Sequence, residues 1–370
     1  MLLKRYKYLV SAFIVSIFVL QTVKAQSTFT ITGNVISNTD GAIVCAQVFI
    51  DGSTIGTLTD KDGKFILNDI PSGIYDLFVR SLGYNSASIS INTDNLEAEY
   101  QFTLSEQVYE LDEITVKPDP ENRKINLQEF KRAFLGVGPY SYDTKILNEE
   151  VLRFDFDPKA SILSAYSNER LEIENKGLGY KIYFYLDEFS IHYKQQTTFY
   201  FGQTLFQPLN SRRKKTRNKW ASEREKAYKS SFTYFVKSLI NQNIEENGFI
   251  VKGEQRDEDA TYISKDTVSS KLYFGRVDST TFKISFINFL NVTNTQIYED
   301  LNYLQYIAKP FDSNPRMLPD FQNSSFTMIE DSVLIDKSGY IINPKGLLFD
   351  GYWGFHTISD MLPIGYSLPD

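Results

Sequence analysis

Cysteine is nearly absent from this sequence, and its scarcity limits how the protein can be held together. Cys45 is the single cysteine in 370 residues, so the chain forms no internal disulfide and its stability depends on its core. No basic residue lies near Cys45 in sequence to activate its thiol. We therefore interpret Cys45 as a small residue at the start of a strand rather than as a reactive group.

Histidine is almost as rare, which argues against most metal-dependent and nucleophilic catalysis. A zinc peptidase needs two histidines and a carboxylate as ligands, and neither His192 nor His356 is followed by an H-x-x-E pattern. The sequence also has no G-x-S-x-G elbow, no phosphate-binding loop and no G-x-G-x-x-G. We therefore predict no catalytic residue, no cofactor and no metal, and we interpret both histidines as structural groups.

Positive charge is in the minority, with 39 basic residues against 46 acidic ones. Residues 1–25 hold four of the basic residues and no acidic residue, so the remainder carries a net charge of −11. Because a protein of that charge repels DNA and RNA, we exclude nucleic acid as a partner. Glycoside hydrolysis needs only a pair of carboxylates, so an envelope polysaccharide hydrolase stays open as an alternative.

The first 25 residues have the pattern of an export signal. Three basic residues within the first seven precede an apolar run from Tyr8 to Leu20, and Val23-Lys24-Ala25 supplies the small-x-small cleavage pattern. The alternative is an uncleaved membrane anchor, which needs about 20 apolar residues, and this run is shorter. We predict cleavage between Ala25 and Gln26, export to the periplasm or outer membrane, and no transmembrane helix in the mature chain.

Short β-type segments follow one another from residue 29 to residue 104, each bounded by Gly, Pro, Asn or Asp. In one of them Tyr75, Leu77 and Val79 recur at every second position, as in a strand with one covered face. Seven segments in so little sequence leave no room for helices and favour a small antiparallel sandwich. The predicted strands are 31–36, 46–51, 56–59, 64–67, 73–81, 87–91 and 99–104.

The order of motifs in this region resembles a known module. Gly56-Thr-Leu-Thr-Asp-Lys-Asp-Gly-Lys-Phe65 is followed by Ile70-Pro-Ser-Gly-Ile-Tyr75 and then by Leu82-Gly83-Tyr84. This succession resembles the carboxypeptidase-regulatory-like domain, which has a prealbumin-like (transthyretin-like) sandwich fold and is common in envelope proteins of Gram-negative bacteria. The resemblance implies that residues 26–104 form an accessory domain without catalysis, serving folding or interaction.

Asp60-x-Asp62-Gly63 within this module has the beginning of a calcium loop, because closely spaced carboxylates suit a hard cation. An EF-hand loop also needs a bidentate glutamate at its last position, and the sequence has no glutamate between Gly63 and Glu97. The interpretation we favour is a β-turn in which Asp60 caps its own backbone and Gly63 adopts a positive φ.

A linker is predicted over residues 105–125 from Pro118, Pro120 and their charged neighbours. Within it, Glu110–Val116 resembles the stretch that follows the same module in TonB-dependent receptors, so an outer-membrane receptor or small barrel component is a further alternative. Residues 126–370 are predicted as a β-rich domain with one main amphipathic helix near Arg217–Ile244. The fold class is therefore mostly β, α+β overall.

Parts of this larger region also resemble a known arrangement. The segments 134–136, 173–180 and 351–363 resemble a domain that often accompanies the regulatory-like module and has no assigned activity. The resemblance therefore implies an architecture without implying a function.

Two features of the larger region are candidate binding surfaces. The aromatic segment Phe349–Tyr366 is interpreted as core or interdomain packing, with a partner or glycan platform as its alternative. The other is a basic run, interpreted either as a solvated loop and helix start or as a patch for an anionic partner. Its residues are Arg212, Arg213, Lys214, Lys215, Arg217 and Lys219.

Taken as a whole, these patterns predict a non-enzymatic, exported cell-envelope protein with an interaction or assembly role. The partner that fits the basic run is an envelope protein or an anionic glycan or lipid.

Overall fold

A computed structural model describes residues 28–39, 41–107, 120–257, 260–308 and 316–368. The predicted leader, its cleavage point at Ala25 and Gln26, and residues 108–119 of the predicted linker lie outside these ranges.

The N-terminal strands form a sandwich of two sheets. The strands are β1 (Thr28–Ser37), β2 (Gly41–Ala42), β3 (Gln47–Ile50), β4 (Gly56–Leu58), β5 (Lys64–Pro71), β6 (Ile74–Arg80), β7 (Ala87–Asn92) and β8 (Tyr100–Leu104). In one sheet the order is β2-β1-β5, and β8 also pairs with β1, in parallel. In the second sheet the order is β4-β3-β6-β7.

All seven strands predicted for this region are present, and β2 adds a two-residue eighth strand. Strand β6 shows why the pattern was informative, because Tyr75, Leu77 and Val79 are buried in the sandwich core while the residues between them are partly exposed. Val35 from β1 and Val48 from β3 enter the same core from the two facing sheets.

A six-stranded antiparallel sheet follows, in the order β10-β11-β13-β12-β9, with β14 paired along the other side of β13. Helix α1 (Pro120–Phe134) packs Phe130 and Phe134, both fully buried, against Phe184 and Phe189 of β13. The strands are β9 (Thr144–Ile146), β10 (Arg153–Asp157), β11 (Ile162–Tyr166), β12 (Leu171–Asn175), β13 (Tyr180–His192) and β14 (Thr197–Pro208).

Two further antiparallel sheets share a core with the helical residues 232–240. Their orders are β16-β15-β19-β20-β22 and β17-β18-β21. The strands are β15 (Phe249–Arg256), β16 (Thr261–Thr267), β17 (Phe274–Arg276), β18 (Thr281–Ile284), β19 (Phe289–Tyr298), β20 (Phe321–Met328), β21 (Val333–Asp336) and β22 (Leu347–Gly351).

The predicted long helix is divided into α2 (Lys214–Lys229) and α3 (Phe232–Ile240). Ser231 between them has an extended backbone, and its hydroxyl accepts a hydrogen bond from the backbone N–H of Tyr234 at 3.1 Å. A serine hydroxyl at this position replaces the missing intrahelical partner of the new helix N-terminus, which makes the break stable. Two short helices, α4 (Leu301–Ile307) and α5 (Tyr352–Phe355), complete the helices described.

The mostly β, α+β class predicted from the sequence is confirmed by these sheets and helices. No helix in the described ranges has the length and apolar composition needed to span a membrane.

Candidate functional site

The loop after β3 joins the N-terminal sandwich to the six-stranded sheet that contains β14. The backbone N–H of Gly52 donates to the carbonyl of Thr204 at 2.8 Å, and the N–H of Phe206 donates to the carbonyl of Ser53 at 2.8 Å. The carboxylate of Asp51 accepts a hydrogen bond from the backbone N–H of Thr204 at 2.7 Å. Strand β14 therefore receives both backbone and side-chain contacts from the sandwich.

Aromatic and charged side chains extend this contact. Phe49, fully buried, stacks on Tyr185 of β13 with ring centroids 5.5 Å apart. The guanidinium of Arg80 lies 4.5 Å from the Tyr185 ring centroid and 3.0 Å from the carboxylate of Asp187. The stacking of Phe49 on Tyr185 and the cation–π contact of Arg80 with the same ring stabilise the joint between the sandwich and the sheet.

The C-terminal segment contacts the loop after β3, the end of α2 and helix α3. The N–H of Ile364 donates to the carbonyl of Gly52 at 2.7 Å, and the indole N–H of Trp353 donates to the carbonyl of Ser230 at 3.1 Å. The ammonium of Lys237 donates to the carbonyl of Tyr366 at 3.1 Å. The aromatic segment Phe349–Tyr366 therefore packs within the molecule, as its favoured interpretation predicted.

These contacts surround a cleft of about 400 Å³. Its walls come from the loop after β3, from β14, from α3, from residues 339–341 and from the C-terminal segment. Two acidic residues line it, Asp51 and Asp360. The aromatic lining residues are Phe184, Tyr200, Phe201, Tyr228, Tyr340 and Tyr366.

Burial dominates the electrostatics of the cleft. Desolvation raises the pKa of Asp51 to about 6, although the hydrogen bond from the N–H of Thr204 opposes the shift. Desolvation likewise raises the pKa of Asp360, against the opposing influence of His356. The pKa of His356 is lowered because burial disfavours its charged form, so the imidazole is neutral near pH 7.

Ser230, His356 and Asp360 are the described residues that come nearest to a nucleophile, base and acid. The hydroxyl of Ser230 lies 3.2 Å from Nε2 of His356, but it donates its single proton to Gln322 at 2.8 Å. In this arrangement the imidazole donates to the hydroxyl, whereas a general base would accept its proton. Asp360 accepts from the N–H of Thr357 at 2.9 Å, and Ser230 is only 7% exposed. We interpret the group as a structural hydrogen-bond network.

The second histidine lies elsewhere. His192 ends β13, and its Nε2 lies 3.1 Å from the hydroxyl of Ser190. In the part of the chain that the structure describes, no three His, Cys, Asp or Glu residues are grouped so as to hold a metal ion.

The six basic residues predicted as a patch lie at the start of α2. Arg212 and Arg213 precede the helix and Lys214 begins it, all three exposed. The four residues 212–215 form no ion pair with any described residue. Arg217 donates to the carbonyl of Ser211 at 2.8 Å.

Lys219, the last residue of the run, is the one member that forms an ion pair with another described residue. Its ammonium lies 3.7 Å from the carboxylate of Asp143, and both side chains are more than half exposed. Exposed pairs of this kind contribute about 0–1 kcal/mol, so the described residues leave the charge of the run almost uncompensated.

The two motifs singled out in the sandwich have structural explanations. The carboxylate of Asp60 accepts hydrogen bonds from the N–H groups of Asp62 and Lys64, both at 2.9 Å, and Gly63 has φ +74°. The turn interpretation is therefore confirmed, and these backbone hydrogen bonds lower the pKa of Asp60. Cys45 is exposed just before β3, with φ +58°.

Asp51 and Asp360 are site residues that the sequence did not single out. They stand more than 300 positions apart, and only the contacts of the C-terminal segment bring them to one cleft. The signal available in the sequence was the position of Asp51 directly after a buried strand, where a carboxylate often caps a turn.

Comparisons with known proteins match part of the chain. Similar solved structures include a mutant type II cohesin–X-dockerin complex from Acetivibrio cellulolyticus, with 20% identity over 20% of this chain and a TM-score of 0.17. The chain spans about half, 51%, of the length of that structure. Another is 3-chlorocatechol 1,2-dioxygenase from Rhodococcus opacus, with 12% identity over 24% of this chain and 63% of the other, and a TM-score of 0.19. No curated protein matches the chain.

A family model provides the assignment. It matches residues 31–116, which begin within β1, extend through β8 and include part of the segment beyond it. This match agrees with the resemblance carried by the motifs between Gly56 and Tyr84. Residues 31–116 of this protein are a CarboxypepD_reg-like domain.

Proposed function

We propose that the protein is a non-enzymatic, exported component of the cell envelope that binds another envelope component through the basic run. The CarboxypepD_reg-like domain supports the first part, because it is a non-catalytic fold. The export pattern of residues 1–25 supports the location.

The observation that carries the binding role is the uncompensated charge at the start of α2. A helix N-terminus disfavours cations by about 0.3–1 kcal/mol each at exposed positions, and the first turn of α2 contains no acidic residue. Helix stability therefore does not account for Arg213, Lys214 and Lys215. An anionic partner, such as an acidic protein face, glycan or lipid headgroup, would supply the missing compensation.

Affinity capture from solubilised envelope tests this proposal. The purified chain is compared with a variant in which Arg212, Arg213, Lys214 and Lys215 are changed to Gln. The matched control removes four exposed lysines from other surfaces, so that both variants have the same net charge. The control substitutions are Lys61→Gln, Lys145→Gln, Lys265→Gln and Lys283→Gln.

We expect the wild type and the control to capture the same component, and the basic-run variant to lose it while its melting temperature stays unchanged or rises slightly. Added salt should reduce capture by the wild type, because exposed charges are screened within about 8–10 Å. Equal loss of capture in both variants would show that the effect depends on net charge and not on the basic run. Unchanged capture by the basic-run variant would contradict the proposal.

A second candidate function, hydrolysis of an envelope polysaccharide, is favoured by one observation. Asp51 and Asp360 line the same aromatic cleft, and each has a raised pKa, as a general acid requires. Release of reducing ends from isolated envelope polysaccharide measures this activity. Turnover that is lost in both Asp51→Asn and Asp360→Asn would establish the hydrolase and refute the non-enzymatic proposal.

A further inference from the structure

Acidic residues outnumber lysines and arginines in the lining of the cleft. Asp51 and Asp360 are its two acidic residues, and none of the described residues that line it is a lysine or an arginine. His356 also lines it, but burial lowers the pKa of this imidazole and keeps it from supplying positive charge. Burial also raises the pKa of both acids, that of Asp51 to about 6, so Asp51 is mostly ionised near pH 7 and a cation bound beside either acid would favour its charged form. The ionised lining repels an anion and attracts a cation.

The aromatic lining adds a second feature that suits a cation. Faces of tyrosine and phenylalanine attract an ammonium or guanidinium within about 6 Å of the ring centroid. Two ammonium groups of the protein itself already do this: that of Lys237 lies 5.4 Å from the centroid of Tyr228, and that of Lys345 lies 4.3 Å from the centroid of Phe201. Lys237 does not line the cleft, and its ammonium donates a hydrogen bond to the carbonyl of Tyr366 at 3.1 Å.

Asp360, one of the acidic residues that line the cleft, has one carboxylate oxygen without a hydrogen-bond donor among the described residues. Asp360 accepts from the N–H of Thr357 at 2.9 Å and its hydroxyl at 3.3 Å, both through Oδ2. Its Oδ1 accepts no hydrogen bond from any described residue. The phenol of Tyr200 lies within electrostatic range of Asp360, and burial raises the pKa of that phenol.

We propose that this cleft binds a small organic cation, an ammonium group carried on an apolar body, with the charge beside Asp360 and the body against Tyr200, Phe201 and Tyr228. The volume of about 400 Å³ accommodates a ligand of that kind. A neutral sugar would stack on the same rings but would leave both carboxylates without an opposite charge. The cleft and the basic run are separate surfaces, so this proposal stands or falls independently of the envelope partner.

Three probes of similar shape and different charge test the proposal on the full-length mature chain. Benzylamine, benzyl alcohol and benzoate carry one positive charge, no charge and one negative charge near pH 7. Isothermal titration calorimetry in low salt should give an affinity for benzylamine at least tenfold greater than for benzyl alcohol, and benzoate should not bind. Methyl glucoside is titrated in parallel as the sugar probe.

Variants place the charge effect at the cleft. Asp360→Asn should weaken benzylamine binding about tenfold and leave benzyl alcohol unchanged, because one close charge pair is lost. Asp155→Asn, at an exposed position of β10, is the matched control and should change neither affinity. If Asp360→Asn does not fold, Asp51→Asn replaces it, with the same expected direction.

Four results would overturn the proposal. The first is equal binding of benzylamine and benzyl alcohol, which would indicate an apolar cleft without charge selection. The second is binding of methyl glucoside without binding of benzylamine, which would assign the cleft to a sugar. The third is no binding of any probe at millimolar concentration. The fourth is an equal loss of benzylamine binding in Asp155→Asn, which would place the effect outside the cleft.

Discussion

The carboxylate of Asp51 should make the stability of this protein depend on pH in a way that one substitution removes. Asp51 lies between the sandwich and β14, where burial raises its pKa from an ordinary 3.8 to about 6. In the folded protein it therefore holds its proton more tightly than in the unfolded chain. Unfolding releases that proton between pH 3.8 and about 6, so the stabilising contribution is present below this window and is lost as the pH rises through it.

The size of the effect follows from the two pKa values. Between about pH 4.5 and about pH 7.5, linkage predicts that this one carboxyl lowers the free energy of unfolding by roughly 2 kcal/mol. Asp51→Asn keeps the shape of the side chain and an oxygen that can accept the N–H of Thr204, but it does not titrate. The free-energy difference between variant and wild type should therefore grow by roughly 2 kcal/mol in favour of the variant as the pH rises.

Urea unfolding of both proteins at the two pH values measures this difference. The carboxyls of Asp336 and Asp360, whose pKa values burial also raises, titrate in wild type and variant alike, so their contributions cancel. Asp155→Asn, on the exposed strand β10, should follow the wild type at both pH values. A wild-type-to-Asp51→Asn difference that is the same at both pH values would refute the assignment of a raised pKa to Asp51.

Three further outcomes are expected. Phe49→Ala should lower the free energy of unfolding by about 3–5 kcal/mol in urea denaturation, because a fully buried ring is removed from the joint with the larger sheet. Gly179→Ala should be more destabilising than Gly83→Ala, since both glycines have positive φ but only the added Cβ at Gly179 would meet the Trp220 ring. Limited proteolysis should cut first within residues 105–123 and release a fragment ending near residue 104, whereas a first cut within 130–360 would contradict the predicted boundary.

The sandwich could be predicted from the sequence because its signals are local. Alternation in β6 and glycine-containing turns such as Asp60–Gly63 depend on neighbouring residues, and those neighbours are present in the sequence. The break between α2 and α3 was missed, although Ser231 is a residue type that favours a helix N-terminus. The apolar stripe that continues on both sides of it outweighed that single signal.

The larger sheets were harder to predict because their pairing is not local. Strand β13 runs from Tyr180 to His192 with an irregularity between Leu186 and Glu188. Its length is supported on one side by β14 and on the other by β11 and β12, and only the folded chain supplies those partners. The cleft depends on the same kind of contact, since Gly52 and Ile364 meet there from opposite ends of the chain.

The proposed role in the envelope is tested most directly by a binding isotherm of the purified mature chain on isolated envelopes. We expect saturable binding at low salt that weakens steeply with added salt, is lost when the four residues at 212–215 are neutralised, and is retained in the control that neutralises four lysines elsewhere. No saturable binding, or binding that is equal in the wild type and the basic-run variant, would contradict the account.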